Sequence, residues 1–133
     1  MENIFFAIVL AILILGFYVL YSIKKNSLKF TKKQQIFFQN KWNGIIEEKN
    51  HTIAILEADK LLDLVLKKMN YQGSLGEKLK KAERLFSDIN GVWYAHKLRN
   101  RLAHEIDTKI SKQETEKALS AFHKALRDLK ALH

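Results

Sequence analysis

The feature that most constrains this chain is a run of 20 consecutive residues without a charge, Ile4 to Ile23. As a helix rising about 1.5 Å per residue it reaches roughly 30 Å, the hydrocarbon thickness of a bilayer. The residues before it hold Glu2 and no Lys or Arg. The run is longer than a signal-peptide core, and no small-x-small cleavage site follows it, so the expectation is a retained transmembrane anchor over residues 1–23 rather than a cleaved leader. Tyr18 and Tyr21, near its end, suit a membrane interface.

Directly behind the run stand Lys24, Lys25, Lys29, Lys32 and Lys33, with no acidic residue before Glu47. Positive residues flanking a membrane helix stay on the cytoplasmic side. The reading is therefore a single-pass protein of the cell (inner) membrane, with the N-terminus outside and the rest of the chain cytoplasmic. All 23 Lys and Arg follow the anchor, against 13 Asp and Glu once Glu2 is set aside, which leaves +10 on that part. Such a charge attracts anionic lipid headgroups or nucleic acid. The five juxtamembrane lysines are assigned to lipid, and the later basic residues are available to RNA.

The chain has no Cys, which excludes a disulfide framework and thiolate zinc sites. It also has no Pro, where about seven would be ordinary for its length, and only five Gly. That combination argues against a turn-rich sandwich or barrel, so the expected class is all-α. The capping-box pair Thr31 and Gln34 opens a first helix carrying Ile36, Phe37, Trp42, Ile45 and Ile46 as apolar residues. A second helix runs from about Thr52 to Met69, with Ala54, Ala58, Leu61, Leu62, Val65 and Met69 on one face, Glu57 on one rim and Asp59 and Asp63 on the other. Ser74 with Glu77 caps a short helix through Leu79, Ala82, Leu85 and Phe86, and Ser87 to Gly91 reads as a break. The fourth helix covers about Val92 to His104, and Ser111 with Glu114 caps a fifth. The expected architecture is an anchor over 1–23, a basic segment and the start of the first helix over 24–39, and an antiparallel bundle of four to five helices over 40–133.

The chemically suggestive residues lie in the fourth helix, in the stretch VWYAHKLRNRLAHE. Val92, Ala95, Leu98, Leu102 and Ile106 define an apolar arc with Arg99 close to its middle. A guanidinium there needs a carboxylate or an anionic ligand, because an uncompensated buried charge costs several kcal/mol. Glu57, Asp59 and Asp63 on the second helix are the candidate partners. His96, Asn100 and His104 follow one another at four-residue intervals along the edge of the arc, a strip suited to an interface between two copies of the chain. His96 and His104 are two turns apart, about 12 Å along the axis, too far to share an ion. Neither a metal nor a cofactor is expected. There is no glycine-rich phosphate loop, no G-x-S-x-G elbow and no cysteine nucleophile.

Arg99-Asn100-Arg101-Leu102-Ala103-His104 resembles the Arg-polar-x-x-x-His signature of the HEPN superfamily, small helical domains of prokaryotic toxins and RNA-processing proteins. The order of elements is similar too: ILEADKLLDLVL, a Gly-containing loop and short helix, WYAHKLRNRLAHE, then a final amphipathic helix. The likeness covers about residues 40 to 131. It implies metal-independent RNA cleavage, with His104 moving protons, Arg99 stabilising charge on the phosphorane oxygens and Asn100 orienting the phosphate or His104, supported by His96. Toxin-like members often carry a tyrosine where this chain has Ile106. On a regular helix Arg99 and His104 stand about 140° apart, and the family's two-fold interface would bring together histidines from two protomers. A homodimer through the Arg99 to His104 helix is therefore expected. The competing expectation is a non-catalytic dimerisation or scaffold module in which Arg99 bridges to a carboxylate of the second helix.

Overall fold

A computed structural model describes residues 1–26, 30–105 and 107–133; of residues 23–26 it describes the backbone alone. Lys24, Lys25 and Lys29, assigned above to lipid, and Ile106, assigned to the apolar arc, therefore lie outside the described side chains. The described residues form helices and no strand. The elements are α1 (Glu2–Asn26), α2 (Lys32–Glu47), α3 (His51–Lys68), α4 (Leu75–Ala82) continued by a 3-10 turn (Glu83–Leu85), α5 (Ile89–His104) and α6 (Lys112–Asp128).

The starts of α2, α4, α5 and α6 have chemical causes. Thr31, Ser74 and Ser111 accept hydrogen bonds from the third residue of α2, α4 and α6, and Gln34, Glu77 and Glu114 return the bond to the cap backbone. The N–H groups of Ser74 and Ser111 hold the Glu77 and Glu114 carboxylates below their usual range, with Arg101 adding to the effect on Glu114. Asp88 caps α5 by accepting from Gly91 N–H at 2.9 Å. Gly91 therefore belongs to the first turn of the helix, and α5 begins at Ile89 rather than at Val92. A Cβ at Gly91 would collide with the Asp88 carboxylate, which explains a glycine inside a helix. At their C-terminal ends α3 and α6 both close in Schellman motifs. Tyr71 N–H bonds to Leu66 and Ala131 N–H to Leu126, with Asn70 and Lys130 in the left-handed region at φ 68° and 60°.

α3 is the central element and packs against α2, α4, α5 and α6. The most deeply buried side chains are Phe38, Ile55, Leu62, Val65, Leu66, Leu79, Val92, Phe122 and Leu126. In α2 the buried stripe is Phe38, Trp42 and Ile45, at spacings of four and three. Ile36, Phe37 and Ile46, also apolar residues of this helix, are 53%, 45% and 57% exposed. They stand at other angles around the helix from that stripe, and only one face of α2 meets α3. Phe30, ahead of the helix, packs its ring edge-on to Phe38 with centroids 5.0 Å apart. α1 contributes nothing to the core. Its side chains from Ile4 to Tyr21 are exposed, and over Glu2–Ser22 the mean hydropathy is 2.8, so it is long and apolar enough to cross a membrane.

Candidate functional site

Asp59 sits on α3 in the stripe Ile55, Leu62 and Leu66, so the fold buries its carboxylate to 4% exposure. Across from it α5 presents His96, Arg99 and Asn100. Asp59 Oδ1 lies 2.8 Å from His96 Nδ1, and Asp59 Oδ2 lies 3.1 Å from Arg99 Nε. The Arg99 Nε–H does not point along that second vector, so the contact is an ion pair rather than a directed hydrogen bond. Arg99 Nη1 donates to Asn100 Oδ1 at 3.1 Å, and Asn100 Nδ2 meets His96 Nε2 at 3.4 Å.

These contacts close a ring. An acceptor oxygen on Asn100 facing Arg99 directs its NH₂ at His96 Nε2, which must then accept. That assigns the proton to His96 Nδ1, where Asp59 accepts it. One donor–acceptor assignment therefore satisfies the His96 and Asn100 contacts, while Arg99 Nε–H finds no hydrogen-bond acceptor among the described residues and meets Asp59 through charge alone.

The ring forms one wall of an open cleft of about 500 Å³, completed by Lys60 and Asp63 of α3 and by Gly73, Ser74, Leu75 and Gly76 at the start of α4. Lys60 is drawn to Glu57 at 2.7 Å, and Asp63 accepts from Lys78 Nζ at 2.7 Å. The cleft thus carries two carboxylates beside its two cations, and its charges are largely neutralised within the protein.

Of the three candidate partners of Arg99, Asp59 alone reaches it. Glu57 is 200° from Asp59 around α3 at 100° per residue, and it lines a groove on the α2 side instead. Asp63 faces the cleft but serves Lys78. Arg99 is half-buried at the edge of the apolar arc rather than at its centre, while Val92, Ala95 and Leu98 are buried as expected. His96 and Asn100 turn into the ring with Asp59. His104 is exposed at the end of α5, outside both the ring and the cleft. Among the described residues no group of three or more His, Asp or Glu could hold a metal ion.

Two features escaped sequence reasoning. Lys78 is buried to 4% exposure although charged; its position in the stripe Leu75, Lys78, Leu79 and Ala82 was the available signal. His123 of α6 stacks on Trp42 of α2, with centroids 5.3 Å and planes 25° apart. Burial pushes the His123 pKa below the usual histidine value, and Arg127 one turn away adds to the shift. No periodicity links those two residues, because the contact crosses between helices far apart in the chain.

No family model matches this chain, and no curated protein or solved structure matches it either.

Proposed function

We propose that the chain is a single-pass membrane protein whose bundle, HEPN-like in layout, faces the cytoplasm and serves as a non-catalytic dimerisation or scaffold module. The observation that carries this reading is Asp59. It engages both Arg99 and His96, while His104 stands outside the ring. A guanidinium already neutralised by a buried carboxylate has little charge left for a phosphorane, and bringing in a phosphate would mean displacing that carboxylate. Fold likeness by itself carries no activity.

The second reading, an RNA-binding module or metal-independent endoribonuclease, is favoured by the +10 charge beyond the anchor and by the open cleft beside Arg99 and Asn100. In it, a second protomer supplies the histidine that one helix cannot bring round. Both readings include a homodimer, since two-fold pairs are the commonest closed assembly.

The experiment is incubation of the full chain, in detergent micelles, with single-stranded RNA in the presence of a chelator, beside the His104→Ala variant. The scaffold reading expects no cleavage above the variant and a dimer by sedimentation. Cleavage to 2′,3′-cyclic phosphate ends that falls roughly a hundred- to ten-thousand-fold in His104→Ala, the usual range for losing a general acid or base, would replace it with the enzyme reading.

A further inference from the structure

The exposed apolar residues of α2 need an explanation that the core does not provide. Ile36 and Phe37 lie in the first two turns of α2, more than two-fifths exposed. Around them are Lys32, Lys33 and Lys41, all exposed, and Lys41 Nζ hovers 5.7 Å above the Phe37 ring. The first turn of α2 contains no acidic residue. The acids of this helix region, Glu47 and Glu48, fall at its far end. The N-terminal half of α2 thus presents cations around an apolar pair, the composition of a surface that lies in a membrane interface with its lysine stems reaching to headgroups.

Covalent geometry supplies the second argument. α1 ends at Asn26, and the chain is fixed to the core again at Phe30 by the contact of its ring with Phe38. Three residues lie between these points. Fully extended, the connection spans at most about 14 Å. The headgroup layer is roughly 6 Å deep on each side of the hydrocarbon, so with α1 as an anchor Phe30 is held within about 14 Å of the anchor's end and the start of the bundle stays close to the bilayer surface. α2 is the element that follows this connection in the chain, its first residue Lys32 two positions after Phe30.

We infer that the N-terminal half of α2 docks on the anionic membrane surface, with Ile36 and Phe37 entering the interface and Lys32, Lys33 and Lys41 meeting lipid phosphates. This rests on α1 being a membrane anchor. The occupant is the bilayer rather than a second copy of the chain, because a self-complementary α2 pair would bring the three lysines against one another.

The absence of cysteine makes spin labelling of the full chain direct. Single nitroxide labels go on Ile36→Cys, Phe37→Cys, Lys124→Cys on exposed α6, and Leu13→Cys within α1. The chain is placed in vesicles of mixed phosphatidylcholine and phosphatidylglycerol, and collision with oxygen is compared with collision with a water-soluble nickel complex. Labels at 36 and 37 should be oxygen-rich and nickel-poor, like that at 13, while the label at 124 stays aqueous. Lys32→Gln with Lys33→Gln should weaken docking roughly thirtyfold, at about 1 kcal/mol for each lysine near an anionic surface. A lipid-buried label at 13 with labels at 36 and 37 as aqueous as that at 124 would overturn the docking and leave the anchor standing. An aqueous label at 13 would remove the anchor reading and the docking with it. Protection at 36 that ignores lipid charge and grows with the protein-to-lipid ratio would assign the surface to a second copy and also overturn the inference.

Discussion

Removing the Asp59 carboxylate tests whether the ring on α3 and α5 holds the bundle together. Asp59→Ala leaves His96 Nδ1–H without its acceptor and the Arg99 guanidinium without its counter-charge, at side-chain exposures of 12% and 29%. Breaking a fully buried ion pair by deleting one partner costs about 3–5 kcal/mol. The Arg99 side chain is 29% exposed, so water recovers part of that loss and the lower end applies. We expect destabilisation of about 3 kcal/mol. Asp59→Asn keeps one oxygen for His96 but loses the charge and turns an NH₂ donor toward Arg99, which should cost about 1–2 kcal/mol. Arg99→Met leaves Asp59 still bonded to His96 and should also cost about 1–2 kcal/mol. Because Asp59 and Arg99 share an interaction, the double variant should be at least about 1 kcal/mol more stable than the sum of the single effects implies. Denaturant unfolding of the full chain in micelles, followed by the fluorescence of buried Trp42, gives each value. A loss below about 0.5 kcal/mol in Asp59→Ala, or strict additivity with Arg99→Met, would refute a structural ring.

A reporter fused after His133 should read as cytoplasmic, and a periplasmic signal would reverse the orientation assigned from the lysines. Between Trp42 and Arg127, His123 has a folded-state pKa lowered from its unfolded value, so the unfolded chain takes up the proton first. The stability from this residue is complete above about pH 6.5 and is lost as pH falls through the lower folded value; His123→Phe should flatten that slope in denaturant titrations. Ser74→Ala and Ser111→Ala should each cost about 1 kcal/mol by removing a helix cap, measured by the same unfolding; no change would mean the cap bonds are not maintained. Lys130→Gly should stabilise by up to about 1 kcal/mol, since the residue holds φ 60° where glycine is unstrained, and destabilisation would contradict that backbone assignment.

Caps and periodicity carried most of the fold into the sequence. Thr31, Ser74 and Ser111 each announced a helix three residues ahead of a Gln or Glu, and all three form the reciprocal bonds. Gly91 misled because a glycine reads as a break, whereas its actual duty is to clear room for the Asp88 cap. For Ile36, Phe37 and Ile46 apolarity alone does not say which face of the helix is covered; the spacing of Phe38, Trp42 and Ile45 does. In the site, the demand that Arg99 find a carboxylate was legible from its place beside Ala95 and Leu98. Which of three acids answered was not read, although the angle around α3 held the information. Asp59 shares the stripe of Ile55 and Leu62, while Glu57 points to the α2 side. His96 could not be separated from His104 by their four-residue register, because α5 is covered by α3 near its middle and uncovered at its end.

The angular arrangement around α3 also connects the two ends of the proposal. Glu57, Leu61 and Leu64 line the groove beside α2, while Asp59 and Asp63 line the cleft beside α5 and α4. Lys60 lines both, so groove and cleft are neighbours around the surface of α3, one bordered by α2 and the other by α4 and α5. In the proposed docking the outward face of α2 lies on the bilayer, and α5, which packs on α3 and α6, is the side we propose to face the cytoplasm. The cleft and the exposed end of α5 at His104 are then the parts a second protomer or an RNA strand can reach, and the short connection after the anchor keeps them so. Under this proposal, docking and a partner-facing role of α5 are coupled. Loosening α2 from the membrane by Lys32→Gln with Lys33→Gln should leave the Asp59 ring intact while lowering the fraction of chains whose α5 surfaces can meet.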